Sequence, residues 1–239
     1  MHNFLNLFKG EMQRMIKYKI LQISFVVTLL WLVIMFLIGA DYVGDFVPLF
    51  IFMDASMMTV LLVGANLFFE KQENTLKTML ITPSSYYAIL ASKFIASVYL
   101  ALQSAILISL FAYILFDVSV NFPLLVLFVV VITFAHTAIG FTFTVFVREF
   151  TGLLAFMIFY MFLFAFPSIF YFLGIFGDAF EYILMFSPTH GSLLMIDYAY
   201  GVEVSWYLLL IANTYLVMLG IGLIHFVVSP KYVETAVRE

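Results

Sequence analysis

The chain contains no cysteine, which excludes disulfide frameworks, thiolate metal sites and cysteine nucleophiles. Charge is scarce as well: Asp, Glu, Lys and Arg make up 10% of the 239 residues, and the formal net charge is −4. That balance offers no basic surface for nucleic acid. A Gly-x-x-x-x-Gly-Lys-Ser/Thr phosphate loop is missing, so the chain does not bind a nucleotide by that route. Low-complexity tracts, internal repeats and His/Asp/Glu sets with metal-ligand spacing are not evident. Ser187 and His190 alone make a weak case for nucleophilic catalysis. What the chain has in excess is apolar surface: 65% of residues are hydrophobic, and the mean hydropathy is +1.15. One soluble core could not bury so much, so lipid must solvate most of these side chains.

Six apolar stretches are long enough to span a bilayer as helices: Ile20–Ala40, Phe46–Phe69, Phe94–Phe116, Leu124–Val147, Thr151–Phe172 and Trp206–Val228. At about 1.5 Å per residue each covers about 32–36 Å, enough for the hydrocarbon layer. The first is too long for a signal-peptide core, and no small-x-small cleavage site follows it. Every Lys and Arg falls in alternate connections: Lys9, Arg14, Lys17 and Lys19 before span one, Lys71, Lys77 and Lys93 between spans two and three, Arg148 between spans four and five, and Lys231 and Arg238 after span six. The opposite connections carry only Asp41, Asp45, Asp117, Asp178, Glu181, Asp197 and Glu203. By the positive-inside rule both termini are expected in the cytoplasm, in a multi-pass protein of the plasma membrane.

Residues 1–19 read as an interfacial helix, with Phe4, Leu5, Phe8, Met12, Met15 and Ile16 on one arc and Asn6, Lys9, Gln13, Arg14 and Lys17 opposite. Span three carries a ridge of small residues four apart, Ser97, Ala101, Ala105 and Ser109, which lets a neighbouring helix approach closely. Pro167 is expected to kink span five. Residues 173–205 are far from plainly polar. Two apolar quartets, 183–186 and 193–196, flank Ser187-Pro188-Thr189-His190-Gly191, which suggests two short helices with a Pro/Gly break that dip into the outer leaflet or cap the bundle.

Residues 70–93 form a polar, helix-prone island in this apolar chain. Leu76, Met79 and Leu80 share one face of a short helix at i, i+3, i+4, and Pro83 stops it. A short helix with one apolar face and a charged rim suits a groove on a soluble partner. Glu70, Lys71, Asn74, Thr75, Leu76, Met79, Leu80, Thr82 and Pro83 resemble the pattern Glu-Arg-x-x-Gly-Thr-Leu-x-x-Leu-Leu-x-Thr-Pro of the ABC-2 type permeases, the membrane subunits of one class of bacterial ATP-binding-cassette exporter. Three positions depart from it: Lys71 for Arg, Asn74 for Gly and Met79 for Leu. Asn is the residue after Gly that best tolerates a left-handed backbone.

The resemblance covers the whole chain, including Glu11 and Arg14 near the start. It implies an all-α integral membrane fold: one permease domain of six transmembrane helices, an interfacial helix over 1–19, a cytoplasmic coupling helix within 70–93 and an external re-entrant segment over 173–205. It also implies that two separate ATPase subunits dock on residues 70–83, with Glu73, Glu11 and Arg14 contributing, and that a second permease subunit, identical or homologous, pairs in the bilayer. ATP and Mg would be held by the ATPase, with no cofactor, metal or bond chemistry on this chain. The exported cargo implied is amphiphilic: a drug, an antimicrobial peptide or a lipid-like molecule.

Polar groups within the spans leave alternatives open. Asp54, in the outer half of span two, and His136, near the middle of span four, are either a proton relay or interhelical hydrogen-bonding groups. The relay would make the protein a proton-coupled secondary transporter, and ATP drive makes it unnecessary. Phe159 and Phe166, in an aromatic span five, either line a substrate pathway or face lipid. A membrane-embedded enzyme using His190 or Asp197 is a further rival.

Overall fold

The computed structural model describes residues 2–73, 75 and 85–231. Asn74, Leu76, Met79, Leu80, Thr82 and Pro83, and with them the expected coupling helix, lie outside the described residues. The fold is all-α. Helix α1 (His2–Lys17) precedes α2 (Ile20–Ile38), α3 (Ala40–Gln72), α4 (Tyr86–Phe116), α5 (Phe122–Phe146) and α6 (Phe150–Phe172). A single turn at Glu181–Leu184 leads to α7 (Pro188–Ala199), and α8 (Trp206–Lys231) closes the bundle. Among the described residues, six helices, α2 to α6 and α8, are long and apolar enough to cross a membrane. The protein is a multi-pass membrane protein.

Two spans outgrow their apolar stretches. Helix α3 has 33 residues and α4 has 31, or about 50 and 46 Å at the helical rise, against a hydrocarbon layer of about 30 Å. Their surplus turns carry polar residues beyond the expected spans Phe46–Phe69 and Phe94–Phe116. Glu70 and Lys71 therefore belong to α3 and Lys93 to α4, where a polar connection was expected. The lengthening also moves Asp54 from the outer half of its span to near the middle of α3.

The tight turns follow from local chemistry. Gly39 alone joins α2 to α3, with φ +82°, a conformation that suits glycine. Ser85 caps α4 by accepting from the Ala88 N–H at 3.2 Å, and Asn121 caps α5 by accepting from Leu124 at 3.3 Å. Chain direction then alternates, which gathers the described cations at one end of the bundle and most of the carboxylates at the other. We call these the basic end and the acidic end.

Packing is closest where α3 crosses α5. A Cβ at Gly140 would lie 2.8 Å from the Val60 carbonyl oxygen. The Thr144 hydroxyl donates across the crossing to the Gly64 carbonyl at 3.1 Å. The small-residue ridge of α4 points inward, with Ser97, Ala101, Ala105 and Ser109 all buried. Helix α1 packs through Phe8, Met12 and Met15 against Ile20, Leu62, Ala96 and Leu100. Its apolar arc is split, because Leu5 and Ile16 are exposed.

In α6 the irregularity lies just before Pro167, as a π-helical turn over Met161–Ala165. The Phe164 carbonyl there accepts from Ser168 at 2.8 Å and from Thr189 at 2.6 Å. Those hydroxyls dock the start of α7 into the widened turn. The turn Glu181–Leu184 and α7 are two short helical segments interrupted at residues 185–187, as expected; the second starts at Pro188, and Gly191 lies inside it. Gly191 sits against Ala212, which a Cβ would meet at 3.3 Å. Residues 187–197 are all buried, and α7 packs on α3, α5, α6 and α8, closing the acidic end of the bundle.

Candidate functional site

Four charged residues from three helices meet at the basic end, where α3 enters the 74–84 connection and α4 leaves it. The Arg14 Nε donates to Glu70 Oε1 at 2.8 Å, and an Arg14 Nη lies 2.6 Å from Glu11 Oε1. The Lys93 Nζ lies 2.9 Å from the same Glu11 oxygen and donates to Glu70 Oε2. The cluster sums to zero charge. Glu70 is 0% and Lys93 2% exposed, so each carboxylate must find its counter-charge inside the protein. At Glu11 the contacts are ion pairs without aligned hydrogen bonds. Burial pushes its carboxyl up, but the Lys93 and Arg14 charges outweigh burial and hold it below the ordinary 4.5.

Each residue reaches the cluster by helical spacing. On α1, Glu11 lies four residues before the buried Met15. On α3, Glu70 lies four residues after the buried Asn66. On α4, Lys93 lies one step below Ser97 on the ridge that continues through Ala101, Ala105 and Ser109, and the Ser97 hydroxyl donates to the Lys93 carbonyl at 2.9 Å. Sequence reasoning counted Lys93 only as a cation. Extending the ridge by one step would have placed it inside.

Around this centre the contacts loosen. Lys17 pairs with Glu73 at 2.5 Å, and the Tyr18 hydroxyl donates to Glu73 at 2.9 Å. Lys17 first, then Tyr18, lowers the Glu73 carboxyl below its ordinary value. The Lys71 Nζ donates to the Val147 carbonyl at 3.0 Å and so ties α3 to the end of α5. Among the expected coupling residues, Glu11, Arg14 and Glu70 are thus brought together, and Glu73 and Lys71 brace the same end. The Glu70 carboxylate turns into the bundle, away from any partner that would contact the connection directly.

The polar residues of the spans are not brought together. Asp54 lies in the π-helical turn Met53–Met58 of α3, buried, and accepts from the Ser104 hydroxyl of α4. His136 of α5 donates from Nδ1 to the Ile132 carbonyl at 2.9 Å, which leaves Nε2 to accept from Tyr160 of α6 at 3.2 Å. Asp54 and His136 have different partners on different helices. Phe159 is 64% exposed, whereas Phe166 is half-buried against Phe162 and Phe170. Ser187 bonds to Thr189 at 2.7 Å, and neither ring nitrogen of His190 has a hydrogen-bond partner, so no Ser–His pair forms. Among the described residues no group of three or more His, Asp and Glu could hold a metal ion.

Compared with curated proteins and with solved structures, the chain matches none. The model of one family, described as ABC-2 family transporter protein, matches residues 39–229, from the glycine that opens α3 to the last turns of α8. The chain belongs to the ABC-2 family of transporter proteins.

Proposed function

We infer that this chain is the permease subunit of an ATP-driven exporter in the plasma membrane. Its basic end faces the cytosol, because all ten Lys and Arg residues fall before α2, in the connections at that end, in the terminal turns of α3, α4 and α8 that meet it, or after α8. Two ATPase subunits bind there, through residues 70–83, and two permease subunits pair in the bilayer. The cargo is amphiphilic. The observation that carries the reading, beyond family membership, is the buried ion cluster beside the 74–84 connection. A push on that connection from below acts on α3 and α4, which flank it. Through Arg14, Glu11 and Lys93 it also acts on α1, so three helices respond as one body. In such a device Glu70 transmits force without touching the ATPase, while Leu76, Met79 and Leu80 supply the apolar contact. Helix α1 lies along the headgroup boundary on its exposed Leu5 and Ile16. Movement of the helices then switches a central cavity between inward and outward access.

A proton-coupled carrier would need Asp54 and His136 to exchange protons, and they share no hydrogen bond.

The test is copurification of the full chain with candidate phosphate-loop ATPases, followed by ATPase assays in proteoliposomes. Leu76→Asp should abolish capture and stimulation together. Capture and stimulation at the unaltered level would overturn docking through this connection. Uptake driven by a pH gradient without ATP would overturn the exporter reading itself.

A further inference from the structure

The acidic end holds a cleft of about 1020 Å³ between α3, α6, α7 and α8, within the range of cavities that take small organic ligands. Two side chains of α7 line it in a state the fold does not explain. Asp197 is 8% exposed, and its Oδ1 has no hydrogen-bond partner. His190 is fully buried, and neither of its ring nitrogens has one. Buried polar groups are almost always paired, and a buried carboxylate needs a cation. Among the described residues no Lys or Arg lines the cleft to supply one.

We propose that this cleft binds an amphiphilic organic cation, an amine or quaternary ammonium on an apolar body, with the Asp197 carboxylate as its counter-charge. The rim supports that sign of charge: Asp45 on α3 and Glu203 after α7 are exposed carboxylates lining the same cleft. Together they make the approach attractive to cations. Tyr171, Phe172 and Tyr207 add aromatic faces for the apolar body and for the cation itself. Tyr171 also stacks edge-on against His190, with ring centroids 5.1 Å apart. A bare metal ion fits less well. His190 and Asp197 are seven positions apart, about 10.5 Å along the helix, too far to share one ion.

Protonation gives the site a pH signature. Burial raises the Asp197 carboxyl to about 7 and lowers the His190 imidazole to about 4. The other titratable groups facing the cleft are Asp45, Glu181, Glu203, Tyr171, Tyr200 and Tyr207. A cation binds the ionised Asp197, so affinity climbs as pH rises towards 7 and then levels, while His190 stays neutral and does not repel it. From pH 5.5 to pH 8 the ionised fraction grows about thirtyfold, and the dissociation constant should fall by the same factor.

That the bound cation is also the exported cargo rests on the reading under Proposed function; the binding itself does not. The experiment therefore uses no ATPase. Full-length protein in zwitterionic nanodiscs is titrated with rhodamine 6G, read by fluorescence anisotropy against empty nanodiscs. The expected result is saturable binding that tightens with pH and is weakened about tenfold or more by Asp197→Asn. Neutral N-phenyl-1-naphthylamine should bind the native protein and the Asp197→Asn variant alike. Unchanged rhodamine affinity in Asp197→Asn overturns the proposal. So does native protein that shows no saturable binding above empty nanodiscs, a measurement that needs no variant and decides the matter should Asp197→Asn not fold. Failure here leaves the export reading standing, and loss of ATPase capture leaves this site standing.

Discussion

Replacing Lys93 by Met tests whether the ion cluster holds the basic end together. The substitution keeps an unbranched, apolar stem of similar length and removes only the charge. In the native protein Nζ lies 2.9 Å from Glu11 and also donates to Glu70. At an effective dielectric of about 20, two unit charges at that separation attract by about 6 kcal/mol, and much of this offsets the cost of taking them out of water. Removing one partner leaves two buried carboxylates facing Arg14 alone. Breaking a buried pair in this way costs about 3–5 kcal/mol. For a chain of this size the corresponding fall in melting temperature is about 6–20 °C, followed by the fluorescence of Trp31 and Trp206, the only two tryptophans.

The pH dependence gives the second handle. In the native cluster Glu11 sits below its ordinary 4.5, so its stabilisation is present above that value and is lost as pH falls through the lower folded value. In Lys93→Met one carboxyl must carry a raised value, because two buried anions share one cation. The folded variant then takes up a proton that the unfolded chain does not, and its deficit shrinks as pH falls from 8 towards 5. Adding Glu11→Gln returns the cluster to zero charge and should recover at least half of the lost stability, a coupling of about 2 kcal/mol. A single variant within about 1 kcal/mol of native from pH 5.5 to 8, or a double variant no better than the sum of the two, would refute the cluster as a structural tie.

Two further outcomes rest on the helix crossings. Gly140→Ala places a methyl group 2.8 Å from the backbone oxygen of Val60, so α3 and α5 must part. A loss of about 1–3 kcal/mol is expected, against no measurable loss for Gly222→Ala, where the space is open. Tyr160→Phe removes the hydroxyl that donates to the buried His136 Nε2 and should cost about 1–3 kcal/mol in thermal unfolding, with the secondary structure unchanged by circular dichroism.

The sequence is easiest to read where one physical cause dominates. Apolar length alone marks the six spans, because lipid punishes every exception. It fails at the helix ends. Beyond the hydrocarbon a helix may carry any polar residue, so the surplus turns of α3 and α4 resemble loop until Glu70, Lys93, Glu11 and Arg14 are seen to neutralise one another. Glu11 and Glu70 are 59 positions apart, and no local pattern links them. The π-helical turns were illegible for a related reason. Met53–Met58 and Met161–Ala165 contain no Gly or Pro, and what holds the second open is a hydroxyl arriving from Thr189. Lys93 was legible in principle, since the ridge at Ser97 and Ala101 already fixed the buried stripe of α4.

The two ends of the bundle treat buried charge in opposite ways. At the basic end Glu11 and Glu70 are closed off by Arg14 and Lys93, so the cluster has nothing left to offer a ligand, and in the function proposed above it serves to make three helices move together. At the acidic end Asp197 is buried without a cation, on a helix packed against α3, α5, α6 and α8. A completed cluster resists change, whereas an incomplete one is altered by whatever supplies the missing charge. Helix α7 contacts α3, and α3 carries Glu70 at its far end. If the proposed cation site and the proposed drive at the basic end both hold, α3 is the helix they share, and any coupling between them runs in both directions.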